Sequence, residues 1–192
     1  TTVNEDATYT YNITSTDPDA GDTRTITVLS KPPWLTLTDN NDGTATLSGI
    51  PLNQHVGSTS VVLAVTDALG AFDNQSFSIT VANTNDAPTF TSAPITAALQ
   101  DIAYTYNITT ADPDAGDSRV ITVLNKPPWL NNFTDNGNGT ATLSGTPSNG
   151  DLGLNPVTLQ VTDLAGVTID QSFTINVDNA NDAPVFTSIP IT

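Results

Sequence analysis

Apolar and polar residues alternate with a period of two through several short stretches of the chain. Tyr9, Tyr11 and Ile13 are interleaved with Thr8, Thr10 and Asn12. Val61, Leu63 and Val65 are interleaved with Val62 and Ala64, and Phe77, Ile79 and Val81 with Ser78 and Thr80. This period predicts half-buried β-strands, and no stretch shows the 3.6-residue period of a helix. The same positions return further along as Tyr104, Tyr106 and Ile108, then Val157, Leu159 and Val161, then Phe173, Ile175 and Val177. On the alternate face Val62 becomes Thr158 and Ala64 becomes Gln160, the drift to polar residues expected where only one face is buried. Asp42-Gly43, and Asn136-Gly137 or Asn138-Gly139, supply hairpin turns ahead of the twice-occurring TATLSG. Short Thr- and Val-rich strands at this spacing predict an all-β fold, an antiparallel β-sandwich of about seven strands in each repeat.

The recurrence defines the organisation. Asp17 recurs at Asp112 and Trp34 at Trp129, 95 positions on; Gly49, Asp67 and Asp86 recur at Gly145, Asp163 and Asp182, 96 positions on. The one extra residue falls between WLTLTDNNDG and WLNNFTDNGNG, where a turn is expected to absorb it. NDAPTFTSAPIT (85–96) reappears as NDAPVFTSIPIT (181–192). The expected boundaries are therefore 1–84 for repeat 1, 85–180 for repeat 2, and 181–192 as the opening of a third, as in a slice from a tandem array. Trp34 and Trp129, each behind a Pro-Pro pair, are expected to plug the two cores.

Composition narrows the partners. There are 20 Asp+Glu against 4 Lys+Arg, a net charge of −16, while 37% of residues are apolar. Such a surface repels nucleic acid and anionic lipid and attracts cations, although acid alone can also serve solubility. Cysteine is absent, so neither disulfides nor thiolate metal sites can form. No apolar run approaches the ~18 residues of a membrane span. A Thr-, Asn- and Asp-rich chain without disulfide staples predicts an extracellular or cell-surface location on a bacterium.

STDPDAGDTR (15–24) sets Asp17, Asp19 and Asp22 within six positions, and TADPDAGDSR (110–119) repeats the cluster with Asp112, Asp114 and Asp117. Strand parity brings Asp67 and Asp163, which end VLAVTD and TLQVTD, to the same pole of the sandwich as the clusters. The link ANTNDAPTF leaves the opposite pole. End-to-end stacking would then carry Asn83, Asn85 and Asp86 toward Asp112, Asp114 and Asp163. Carboxylate and amide oxygens without histidine or thiolate select Ca²⁺ over zinc or copper. The alternative is a set of turns in which the Asp side chains cap backbone amides with no ion at all.

The link resembles the cadherin junction pattern D-x-N-D-N-x-P-x-F, matched by ANTNDAPTF (82–90) and DNANDAPVF (178–186). DPD and the Asp of VTD resemble two further cadherin motifs, so that Asp17, Asp19 and Asp67 repeat in the first unit what Asp112, Asp114 and Asp163 do in the second. The body, PPWLTL…TATLSGIP and PPWLNN…TATLSGTP, is similar to the bacterial dystroglycan-type cadherin-like and Ig-like tandem repeats of large surface adhesins. The resemblance covers nearly the whole chain. It implies two cadherin-like, Ig-like Greek-key sandwiches arranged end to end with calcium at the junction. In cadherins a Glu low on the preceding repeat also binds the ion. Glu5, followed by Asp6, holds that place in repeat 1, and Gln100, followed by Asp101, in repeat 2. Asp182 is the counterpart of Asp86. The cadherin Asp-Arg-Glu motif is missing; NQH and NGD stand near its position, so fewer ions are implied, and His55 is expected to be an ordinary loop residue.

Catalysis finds little material. There is one His, no Cys and no G-x-S-x-G. DPDAGD is not an EF-hand loop, since Val28 stands where the bidentate Glu is required. Carboxylate pairs that recur in both repeats do not resemble a single active site, and no enzyme is expected. Two functions follow. In one, calcium-stiffened repeats act as a spacer for cell adhesion whose partners are the neighbouring repeats of the same chain. In the other, the repeats bind polysaccharide or another cell-surface ligand. Aromatic platforms for sugar are scarce, because most rings recur at core parity; the unmatched ones are Phe72, placed in a loop, and Phe133, beside the insertion.

Overall fold

The computed structural model describes residues 1–19 and 21–188; the final four residues of the expected third repeat lie outside the described residues. The chain divides into two compact units, Thr1–Asn85 and Asp86–Thr192, each with its own core. The first unit has seven strands: β1 (Thr2–Asn4), β2 (Tyr9–Thr14), β3 (Arg24–Ser30), β4 (Leu35–Asp39), β5 (Thr44–Gly49), β6 (Gly57–Asp67) and β7 (Phe72–Ala82). They form a four-stranded sheet in the order β1-β7-β6-β3 and a three-stranded sheet β2-β5-β4. Pairing is antiparallel except that β1 runs parallel to β7.

The second unit repeats this plan with eight strands: β8 (Thr89–Phe90), β9 (Ala97–Leu99), β10 (Tyr104–Ala111), β11 (Val120–Asn125), β12 (Asn132–Asp135), β13 (Thr140–Gly145), β14 (Gly153–Thr162) and β15 (Thr168–Asp178). Its sheets are β9-β15-β14-β11 and β12-β13-β10-β8. The eighth strand arises because the opening segment is split. Pro94 lies between Phe90 and Ala97 and cannot donate to a ladder, so one half joins each sheet.

The alternating residues meet between the sheets. Leu47, Val61 and Ile79 are fully buried in the first unit, as are Leu143, Leu159 and Ile175 in the second. Tyr11 meets Phe77 edge-on across the sandwich at 5.5 Å, and Tyr106 meets Phe173 at 5.7 Å. The two tryptophans pack edge-on to Tyr9 and Tyr104, at 5.9 and 5.6 Å. Such T-shaped pairs add to the area term because the positive ring edge meets the negative face. Trp129 also donates from Nε1 to Asn155 Oδ1, so its one polar atom is satisfied inside the core.

Gly49 and Gly145 face the backbone behind these tryptophans. A Cβ at either position would fall inside the carbonyl oxygen of Trp34 or Trp129, so the strand end can approach only as glycine. Irregularities in β3 and β11, after Val28 and Val123, turn Leu29 and Leu124 outward and start the chain toward the Lys-Pro-Pro-Trp turn.

Two sequence expectations shift, at Ala64 and Phe72. Ala64, assigned to the outward face, is buried, because its methyl group lies between the longer cross-strand neighbours Thr27 and Asn74. Phe72 is the first residue of β7 rather than part of a loop, while remaining largely exposed. Phe133 sits in β12 and packs against the second core. The inserted residue falls within the expected stretch and is absorbed ahead of β12: Leu35 pairs with Gly49, whereas Leu130 stays buried outside the ladder and pairing begins at Asn132.

Candidate metal centre

The acidic loops follow β2 and β10. In the first unit each loop is shaped by its own side chains. Asp17 Oδ1 accepts the Asp19 N–H at 2.9 Å, and Asp22 Oδ1 accepts the Thr23 N–H at 2.8 Å. Asp67, at the end of β6, accepts the N–H groups of Leu69 and Ala71 and so closes the β6–β7 turn. These Asx-type bonds are the turn chemistry that the sequence allows as an alternative, and they leave other carboxylate oxygens available. Asp17, Asp22 and Asp67 each offer an oxygen within 4.8 Å of the other two.

The second unit builds its loop the same way and more tightly. Asp112 Oδ1 accepts the Asp114 N–H at 2.9 Å, and Asp114 Oδ2 accepts the Asp86 N–H at 2.8 Å. Asp112, Asp114 and Asp117 each bring an oxygen within 4.8 Å of the others. Asp114 is buried, and Asp112 Oδ2 is buried with no hydrogen-bond partner. A buried carboxylate oxygen without a donor is costly, and converging carboxylates repel one another. Both penalties vanish when a hard cation sits among the oxygens, and an all-oxygen set fits Ca²⁺. Lys or Arg could also neutralise such a site, but Arg119 donates to the Thr110 hydroxyl and the Asp117 carbonyl.

The structure thus joins Asp17 with Asp67 and Asp112 with Asp114, and to each pair it adds an aspartate not assigned as a ligand from sequence, Asp22 or Asp117. The signal was present as the third Asp of D-x-D-A-G-D. Asp19 contributes its N–H to Asp17 rather than a carboxylate to the cluster. Asp163 is buried and accepts the Val167 N–H at the β14–β15 turn, while Asp117 accepts the Leu164 N–H of the same turn.

At the base of each unit the two repeats diverge. Glu5 is buried; its Oε1 accepts the Thr84 N–H at 2.6 Å, and its Oε2 is buried with no hydrogen-bond partner. Gln100, its counterpart, donates from Nε2 to both Asp101 and Asp182, at 3.0 and 2.7 Å. Asp6 is exposed and takes a left-handed turn conformation, as does Asp101, each N–H meeting a proline carbonyl. Asn83 and Asn85 are exposed in the link and Asp86 is half-buried. His55 Nδ1 accepts the Leu52 N–H, which makes it a turn cap.

Two tandem Ig-like, cadherin-like β-sandwiches with recurring acidic loops are the class that these features define. Residues 1–82 and 87–178 each match the family described as "Putative Ig domain", and the chain belongs to that family, which it contains twice. No curated protein matches the sequence. Among solved structures the chain is similar to PcdhgB3 EC1-4 (14% identity, 94% of this chain and 47% of that one, TM-score 0.64). It is also similar to the Protocadherin GammaB4 extracellular domain (19%, 97% and 32%, TM-score 0.60). A third match is an endo-fucoidan hydrolase, MfFcnA4 from glycoside hydrolase family 107 (29%, 94% and 28%, TM-score 0.45). The chain spans less than half the length of each of these structures. At these identities the protocadherin matches speak to fold. No helix is long and apolar enough to cross a membrane among the described residues.

Proposed function

We propose that the chain is a non-catalytic, calcium-binding repeat pair from an extracellular or cell-surface adhesive protein of a bacterium. Calcium is held by Asp112, Asp114 and Asp117 in the second unit and by Asp17, Asp22 and Asp67 in the first. Glu5, Asn83, Asn85 and Asp86 are proposed as further oxygen donors on the strength of their junction-like sequence pattern, with Asp163 shaping the pole. The ion would supply charge neutralisation and stiffen the array into an extended spacer.

One observation carries this reading: three carboxylates converge at the same loop in both units, and in the second a buried oxygen of Asp112 has no donor. Polysaccharide binding is favoured less, because among the described residues Phe72 and Phe186 are the largely exposed rings, and the Phe186 counterpart, Phe90, packs on the core.

The test is a calcium titration of the full chain by calorimetry, with thermal melting beside it. Extracellular modules of this kind bind with Kd of about 10⁻⁴ to 10⁻³ M. Several-fold saturation should stabilise the second unit by about 1 kcal/mol per ion, a rise in Tm of about 4–8 °C that a chelator reverses. Asp112→Asn with Asp114→Asn should abolish that rise. A flat titration and an unmoved melting curve would remove calcium from the account.

A further inference from the structure

The turn between β4 and β5 carries Asp42-Gly43, and its counterpart between β12 and β13 carries Asn138-Gly139. The two pairs sit in closely matched surroundings. Asp42 Oδ1 accepts the Thr44 N–H at 2.9 Å and the Thr44 hydroxyl at 2.6 Å. Asn138 Oδ1 accepts the Thr140 N–H at 3.1 Å and the Thr140 hydroxyl at 2.6 Å. Gly43 and Gly139 both take positive φ, and a Cβ on either would strike the guanidinium of Arg24 or Arg119. Each arginine is held through Nε by the hydroxyl of Ser15 or Thr110, at 3.1 Å. The first turn therefore displays the second as it would stand with the amide nitrogen of Asn138 replaced by oxygen.

That exchange is open to an Asn-Gly pair, because a glycine nitrogen, unshielded by a Cβ, can reach the preceding side-chain carbonyl. The chain has Asn136-Gly137, Asn138-Gly139 and Asn149-Gly150, and the structure separates them. Asn136 uses its amide nitrogen, donating to Thr140 Oγ1 at 2.8 Å, and the Gly137 N–H is held by Asp135 Oδ1 at 3.1 Å. The first unit keeps an asparagine at that place, Asn40, with the same bond to Thr44 Oγ1 at 2.9 Å. Asn149 opens the 3-10 turn Asn149–Asp151, where no hydroxyl donates to its carbonyl among the described residues. Asn138 combines a carbonyl polarised by two donors with an amide nitrogen that has no partner among the described residues. The Gly139 N–H beside it is held by no backbone carbonyl among them.

We propose that Asn138 is a self-modification site, at which the Gly139 nitrogen attacks the side-chain carbonyl and the amide is converted to a carboxylate. The Gly139 nitrogen gives its proton to water or hydroxide and bonds to Cγ. Oδ1 takes up negative charge beneath the Thr140 N–H and hydroxyl, a small oxyanion hole. The Cγ–Nδ2 bond then breaks, and the nitrogen leaves as ammonia with a proton from water. A second water opens the cyclic imide, giving aspartate, or isoaspartate when the other carbonyl is attacked. The sum is one water consumed and one ammonia released. The guanidinium of Arg119, packed on Gly139, favours both the deprotonation and the new carboxylate. Aspartate here keeps both Thr140 bonds, which strengthen once the acceptor is ionised. Conversion adds one negative charge to a chain already at −16.

Peptide mapping by mass spectrometry tests this on the full chain, incubated at mildly alkaline pH both folded and in denaturant. In denaturant the three Asn-Gly pairs should convert at similar rates. In the folded chain the amide-to-acid mass gain should appear at Asn138 about tenfold faster than at Asn136 or Asn149. Thr140→Val should slow it by about tenfold, less than the ~10²–10³ of a sheltered oxyanion hole because the turn is open to water, and Thr140→Ser should restore the rate. Asn138→Asp should fold and melt no lower than the parent at neutral pH. An Asn138 that stays amidated in the folded chain while converting in denaturant overturns the proposal. So does an Asn136 or Asn149 that converts as fast in the folded chain, and an undiminished rate in Thr140→Val removes the hydroxyl's part.

Discussion

Gly145 is the residue whose role is most sharply set by contact. The β13 backbone approaches the Trp129 carbonyl so closely that a single methyl group must displace main chain rather than a flexible side-chain end. Gly145→Ala should therefore cost about 1–3 kcal/mol, the range for overpacking a core. Differential scanning calorimetry should show the second unit melting about 4 °C or more lower, while the first is unchanged. Gly49 holds the same relation to Trp34. Sequence alone marked the tryptophans as core plugs, but it did not assign a reason to the glycine that ends TATLSG. That reason is a through-space approach between positions some 15 apart in sequence, which period-two patterning cannot register. The missed Asp22 and Asp117 have a related cause: which of three neighbouring carboxylates turn inward depends on the loop's own N–H bonds, such as that from Asp19 to Asp17.

Two turns contribute to acid sensitivity. In the β4–β5 hairpin the Thr44 hydroxyl, then its N–H, hold the Asp42 carboxyl below the ordinary carboxylate range. The 3-10 turn Asn149–Asp151 does the same for Asp151, through the hydroxyl and N–H of Ser148. A carboxyl whose folded pKa is depressed contributes stability that is complete above its unfolded pKa and is lost as pH falls through the folded value. Melting temperature should therefore begin to fall below about pH 4. The double variant Asp42→Asn, Asp151→Asn should show a shallower acid slope in a pH series of melts. Both groups lie at the surface, so solvent screening keeps the effect small.

The elements themselves were largely readable, because one buried face per strand imposes strict alternation. What escaped was decided by pairing. The opening segment divides between two sheets at its prolines, the insertion is absorbed at Asn131 ahead of β12, and Phe72 extends β7 because β6 continues opposite it to Thr66.

Across the whole chain, duplication makes one unit a control for the other. The loops at Asp17 and Asp112 share the bond from the second Asp N–H to the first Asp carboxylate, but their clusters differ, Asp67 completing the first and Asp114 the second, and Glu5 and Gln100 differ as well. At Gln100 an amide already donates to two carboxylates, so chelating calcium should not release Asp182 there. The parallel placing of β1 on β7, and of β9 on β15, also has a mechanical meaning. In each unit the first of these strands lies near the N-terminal end and the second near the C-terminal end, side by side and pointing the same way. Tension applied along the polypeptide pulls them in opposite directions along their common axis. The bonds from Thr80 to Thr1 and from Glu5 to Ala82 then bear load together, in shear, instead of opening one after another like a zip. In single-molecule stretching each unit should yield abruptly, at a higher force than a hairpin peeled from its end. Val3→Pro, which disrupts the β1 strand, should lower the rupture force of the first unit alone. A tether that must hold against flow could derive its strength from these three-residue ladders, independently of any ion.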